Sequence, residues 1–168
     1  MSERRTAGIL LVLVLVTGGV LAAESGLAVQ FLGTGSYEEA TVTVSDENGT
    51  ELGSVEVTIA NTSTKRYVGL SRNDALAWDR GMLFVHEEED EFGYVMRNMS
   101  FPLDIVFVDA NGTITEIYHA PTPDEEASES DLDVYRGRAK WVLEVNRGWT
   151  NETGVEVGDT VAVPPAAR

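Results

Sequence analysis

A chain of 168 residues, 43% of them hydrophobic, is long enough for one packed domain plus a short terminal extension. Twelve basic residues against twenty-eight acidic ones leave a formal charge of −16, which argues against nucleic acid and anionic headgroups as partners, because phosphate binding needs Lys and Arg to displace counterions. Without cysteine the chain has no disulfides, thiolate metal ligands or cysteine nucleophiles. So acidic a coat reads first as the solvated surface of a halophile protein, its self-repulsion screened in molar salt, where the Debye length is about 3 Å. A surface for cations or a basic partner is the second reading.

Residues 1–23 read as a signal peptide or N-terminal membrane anchor. Arg4-Arg5 precede an apolar run from Ala7 to Ala23, and Leu21-Ala22-Ala23 offers a small-residue cleavage site. Uncleaved, the run is at the short end of a spanning helix and would tether the chain to the membrane. Residues 24–39 then form a Gly- and Ser-containing tether, and a β domain is expected over 40–165. The expected location is outside the cell, secreted or anchored at its surface.

Export has independent support in five Asn-X-Ser/Thr sequons, at Asn48, Asn61, Asn98, Asn111 and Asn151. Five of the seven asparagines lie in one, where the Ser and Thr content predicts about one by chance. Asn48, Asn61, Asn111 and Asn151 are the candidate glycosylation sites, although Asn-Gly-Thr is also plain turn chemistry.

From Thr41 the apolar period becomes two. Thr41–Val44 and Val55–Ile59 flank the turn residues Asp46-Glu47-Asn48-Gly49, which predicts a β-hairpin. Asn61 to Thr64 offer helix caps, and Lys65–Leu70 reads as one short helix. Arg72–Arg80 is expected as loop, Met82–Val85 as a short buried strand, His86–Glu91 as an acidic turn, and Phe92–Met96 as a strand. Ile105–Val108 is a strand closed by Asp109-Ala110-Asn111-Gly112, with Thr113–His119 its return. Ala120–Arg138, with two prolines and six acids between Asp124 and Asp133, is expected to be a mobile loop. Trp141–Val145 is a strand apolar on both faces but for Glu144, and Gly154–Val161 is a turn into a last strand. Many short strands with little helix point to a sandwich or barrel.

Four of these stretches occur in a familiar order: G-L-S-R-N-D-A-L-A-W-D-R-G-M-L-F (Gly69–Phe84), V-M-R-N-M-S-F-P-L-D-I-V-F-V-D-A-N-G (Val95–Gly112), W-V-L-E-V-N-R-G (Trp141–Gly148) and G-V-E-V-G-D-T-V (Gly154–Val161). In this the chain resembles the DUF192 family, a domain of unknown function, over roughly Val55–Val163. The resemblance implies a mainly β fold, a jelly-roll-like sandwich or distorted barrel with one or two short helices, and no activity, none being established for the family. Ser71 stands where the family pattern has methionine, and Asn73 where it has arginine, with Arg72 one place early. Its tryptophan before Met96 is absent, while the basic residue and asparagine match Arg97 and Asn98.

Asp104 lies between Leu103 and Ile105, and Glu144 between Leu143 and Val145, in strands apolar enough that an unpaired charge would be costly. Arg97 is the partner of suitable type for Asp104. Arg97, Asn98, Asp104 and Glu144 therefore form the candidate ligand site, for a small polar molecule or a cation; the same residues could instead be an internal network fixing the Met96–Pro102 turn. An acid/base role for Asp104 or Glu144 would need a raised pKa and reach to substrate. No catalytic residue or cofactor is assigned. No metal site is assigned either: His86 and His119 lack zinc-ligand spacing, and His86–Asp90 lacks the pattern of a calcium loop. Trp141 is expected in the core, and Trp78 falls in a loop. The expected partner is an unidentified ligand or an envelope protein, with a non-catalytic binding module as the leading reading, an envelope-acting hydrolase as the second, and a purely structural domain as the third.

Overall fold

The computed structural model describes residues 36–124 and 126–168; the expected signal segment and most of the tether lie outside them. The predicted hairpin is present as β1 (Glu38–Ser45) and β2 (Glu51–Ala60), antiparallel with Val42 opposite Val55. Its turn is held by the Asp46 carboxylate, which accepts from the backbone N–H groups of Asn48 (2.9 Å) and Thr50 (2.7 Å). Gly49 adopts φ +80°, where a side chain would be strained.

Helix α1 (Ser63–Val68) starts at Thr62, whose side chain accepts from the Lys65 N–H. It begins the crossover to β3 (Arg80–Tyr94), which runs parallel to β2, an arrangement a tight turn cannot make. Then come β4 (Leu103–Val108), β5 (Ile114–Ala120), β6 (Tyr135–Asn146), α2 (Trp149–Thr153) and β7 (Thr160–Ala162). Short 3₁₀ turns lie at Glu129–Asp131 and Pro165–Ala167.

The seven strands of the described residues form one sheet in the order β5-β4-β6-β3-β2-β1-β7. The sheet curls until its edges approach: Thr113 bridges Thr160, and Val161 N–H donates to Gly112 C=O at 2.7 Å. The result is a mainly β half-barrel with two short helices, as expected of a distorted barrel.

Period-two alternation divides the core. One face carries Val42, Val57, Leu83, Val106, Leu143 and Trp149. The other carries Met82, Phe84, Met96, Leu103, Ile105, Phe107 and Val142. Trp141 is buried, as expected, and its indole N–H donates to Ala167 C=O at 2.8 Å. Trp78 is exposed in its loop.

Two expectations are corrected. His86–Glu91 is not a turn between strands: β3 runs through it, although its register with β6 breaks between Val85 and Asp90. There Val85 pairs with Trp141 and Asp90 with Ala139, so extra residues are pushed out of the ladder and the ribbon bends. Beyond the bend the β3–β6 ribbon folds back over the second face. A Cβ on Gly137 would lie 2.6 Å from the Phe107 ring, although Phe107 pairs with Val142, five positions further along β6. Likewise the expected loop over 120–138 ends early, since β6 begins at Tyr135. Helix α2, unpredicted, exists because a buried carboxylate collects its free N–H groups.

Candidate functional site

That carboxylate is Asp104. On β4 its neighbours Leu103 and Ile105 face the second core, so Asp104 points to the first, fully buried. Oδ2 accepts from Gly148 N–H (3.0 Å), Thr150 N–H (3.0 Å) and the Thr150 hydroxyl (2.7 Å), while Oδ1 lies 2.6 Å from His119 Nδ1. It is a remote N-cap for α2, satisfying donors that the first helical turn leaves without partners. The expected Asp104–Arg97 pairing is corrected. Arg97 instead donates to Tyr67 C=O (2.7 Å) and Glu129 (3.1 Å) and lies 4.0 Å from the centre of the Tyr67 ring.

Glu144 is in the opposite situation. It shares the second face with Val142, flanked across the ladders by Met82 on β3 and Ile105 on β4. Its side chain is 6% exposed, yet its carboxyl makes no hydrogen bond or ion pair to a described residue. Among those residues no fully enclosed polar side-chain atom lacks a partner, so its oxygens open onto space rather than being sealed into the sheet.

The space is a cavity of about 270 Å³, walled by Leu70, Phe84, Phe92, Met96, Met99 and Leu103. The folded-back ribbon supplies Phe92 and Tyr94; the α1 crossover supplies Arg66 and Leu70. Glu144 forms the floor, and the less buried Arg66 and Arg97 line the same cavity. Burial raises the Glu144 pKa to about 8, because an ionised carboxylate in that wall has lost its water.

A second polar group lies beside it. His86 Nε2 is 3.0 Å from the Tyr94 hydroxyl, and the imidazole stacks on Phe92 with centroids 3.5 Å apart. Burial, assisted by the nearby Arg66 charge, lowers the His86 pKa to about 4, so the ring is neutral at pH 7. Burial, and then the Glu144 charge, push the Tyr94 phenol above its ordinary range. Arg66 donates one N–H to Val85 C=O at 2.8 Å.

Of the four predicted site residues, Arg97 and Glu144 therefore line one cavity, and Arg97 and Asn98 line a neighbouring cleft of about 710 Å³ with Arg72, Asp124 and Glu129. Asn98 holds φ +55°, the left-handed region costly for a residue with a Cβ. Asp104 is on the other side of the sheet. The sequence reading missed Arg66 and weighed His86 only as a metal ligand; Tyr94, with Phe92, was legible as a candidate groove-lining aromatic. Phe84 and His86 two apart on β3 signal a shared face, but the return of Tyr94 to that place depends on the ribbon fold.

Among the described residues no group of three or more His, Asp or Glu is placed to hold a metal ion, and no helix is long and apolar enough to cross a membrane. The acidic run on β3 is tied down in part: Glu89 accepts from Ala110 N–H and pairs with Arg138. All five sequon asparagines are exposed.

The chain matches the model of the DUF192 family, described as an uncharacterised ACR, over residues 43–163. A solved structure from Sinorhizobium meliloti 1021, described as a "putative transcription regulator", is 30% identical with a TM-score of 0.67, the match covering 77% of this chain and 96% of that one. Another, a protein of unknown function from Novosphingobium aromaticivorans, is 28% identical with a TM-score of 0.63, covering 74% and 85%. No curated protein matches.

Proposed function

The chain belongs to the DUF192 family, and we propose that it is an exported, non-catalytic binding module of the cell surface whose cavity above Glu144 takes a small ligand. The observation that carries this reading is Glu144, a residue 6% exposed whose carboxyl has no partner among the described residues on the floor of a largely apolar cavity. A fold stabilised only by its own contacts gains nothing from a lone carboxyl there, since burying an unpaired polar group is costly. Apolar walls with a few converging polar groups are the usual make-up of a small-molecule site. Export rests on the N-terminal segment and on the exposed sequons at Asn48, Asn61, Asn111 and Asn151, proposed as glycosylated.

The hydrolase reading has one supporting feature, a Glu144 pKa near 8 suited to a general acid. Among the described residues it lacks the usual second carboxylate: Glu144 is the one acid of those that line the cavity, and Asp104 is across the sheet. A nucleic-acid role, which the wording of the S. meliloti structure would suggest, is opposed by the net charge of −16.

The test is a fragment screen of the full chain by NMR, with assigned shifts. Fragments that perturb Glu144, His86 and Tyr94 together, and lose that effect in Glu144→Leu, support the reading. Hits confined to the cleft beside Glu129, or indifferent to the variant, would move the function elsewhere. Export is checked by localising the chain in its host and sequencing its mature N-terminus.

A further inference from the structure

Resting on that reading, we infer that the ligand is a small carboxylate, with an apolar body and one hydrogen-bond acceptor, seated with its charged end toward Arg66 and Arg97 and its acceptor on Glu144. The cavity has a polarity that its surroundings lack. In a chain of net charge −16, the acidic and basic side chains among the described residues lining it are Arg66, Arg97 and Glu144, with the neutral His86 beside them. Their placement is graded: Glu144 is almost fully buried on the interior strand β6, whereas Arg66 and Arg97 are half-buried on the α1 crossover and the segment after β3. Each guanidinium also has N–H groups beyond those bonded to Val85 C=O, Tyr67 C=O and Glu129. Arginine is the side chain best matched to a carboxylate, by its planar fork of donors.

The apolar body follows from the walls. Leu70, Phe84, Met96, Met99 and Leu103 offer no charge, and two methionines give a surface that adapts to shape. Size follows from the volume, since 270 Å³ equals the liquid share of about nine waters and lies just under the usual range for ligand sites. The deep acceptor follows from Glu144. Neutral at pH 7 because its pKa stands near 8, it presents an O–H donor to a carbonyl or hydroxyl oxygen. A cationic ligand would meet two like charges at the entrance and a neutral acid at the floor.

The experiment uses three leucine probes whose charges are compared at pH 7: N-acetyl-L-leucine (anion), N-acetyl-L-leucinamide (neutral) and L-leucinamide (mostly cation at that pH). Binding to the full chain is followed by calorimetry at pH 7 and pH 9. The anion is expected to bind at least tenfold tighter than the neutral amide, with the cation weaker still. Arg66→Gln, checked for folding by circular dichroism, should reduce the preference for the anion, and the double variant Arg66→Gln/Arg97→Gln should abolish it. Binding of the anion should weaken about tenfold between pH 7 and pH 9 as Glu144 ionises. Glu144→Gln, which keeps a neutral donor, should bind at pH 7 and lose that pH dependence. If the neutral or cationic probe binds as tightly as the anion, the inference falls while the cavity remains a binding site. If none of the three binds or shifts the Glu144 titration, the small-ligand reading itself falls.

Discussion

Replacing Glu144 by Gln should make the protein more stable, and increasingly so as pH rises. The folded chain holds the Glu144 proton up to about pH 8, against an ordinary value of 4.5. Between those values the unfolded chain has released the proton and the folded chain has kept it. Fewer protons bound in the unfolded state means that stability falls with rising pH, by about 1.4 kcal/mol per unit. Across the window the loss reaches on the order of 5 kcal/mol, a ceiling, because water entering the cavity would solvate part of the charge. Glutamine has the same shape and never ionises. Urea unfolding of wild type and Glu144→Gln at pH 4.5, 6, 7.5 and 9, in one salt, measures the difference. The acidic coat also repels itself more as pH rises, but it is common to both proteins and cancels. Near pH 4.5 the two should agree within about 1 kcal/mol, and at pH 9 the variant should lead by several. Parallel curves from pH 4.5 to pH 9 would mean that Glu144 titrates like a solvated acid, and the cavity would lose its distinctive floor.

Asp104→Asn should cost roughly 3–5 kcal/mol, because an amide nitrogen would face the donors of Gly148 and Thr150; an unchanged urea midpoint would refute the capping role. Gly137→Ala should cost about 1–3 kcal/mol, since the new methyl overlaps the root of the Phe107 side chain, and a thermal melt at wild-type temperature would contradict the close ribbon contact. The His86 imidazole should titrate near pH 4 by NMR, its stability contribution present above pH 6.5 and lost as pH falls toward 4; a midpoint near 6.5 would show the ring solvated. Asn98→Gly should raise stability by up to about 1 kcal/mol by relieving the left-handed backbone, and a loss would show that the Asn98 side chain makes the larger contribution.

The parts of the fold legible in sequence are those whose cause is local. Thr41–Val44, the Asp46–Gly49 turn and Val55–Ile59 form a hairpin because alternation and turn chemistry agree, and Thr62 is a sound cap because its side chain reaches the N–H of Lys65. Two features depended on distant partners. His86–Glu91 looks like a turn by charge, yet it is extended because β6 pairs with β3 on both sides of a register break. Helix α2, only five residues long, is organised by Asp104 from 46 positions away in the case of Thr150. A helix that short is not stable alone.

The candidate site divides along the same line. Asp104 and Glu144 look alike in sequence, each a carboxylate inside an apolar strand. One-residue alternation decides between them, since residues paired across β4 and β6 share a face: Asp104 is opposite Val145 of the first core, and Glu144 opposite Ile105 of the second. Asp104 meets the start of a helix and a histidine, and four donors satisfy it. Glu144 meets a cavity walled by the ribbon folding back from Val85–Asp90, with no hydrogen-bond donor to it among the described residues. The same chemical type is structural in one place because its partners are built into the chain. In the other its missing partner is the reason to look for a ligand.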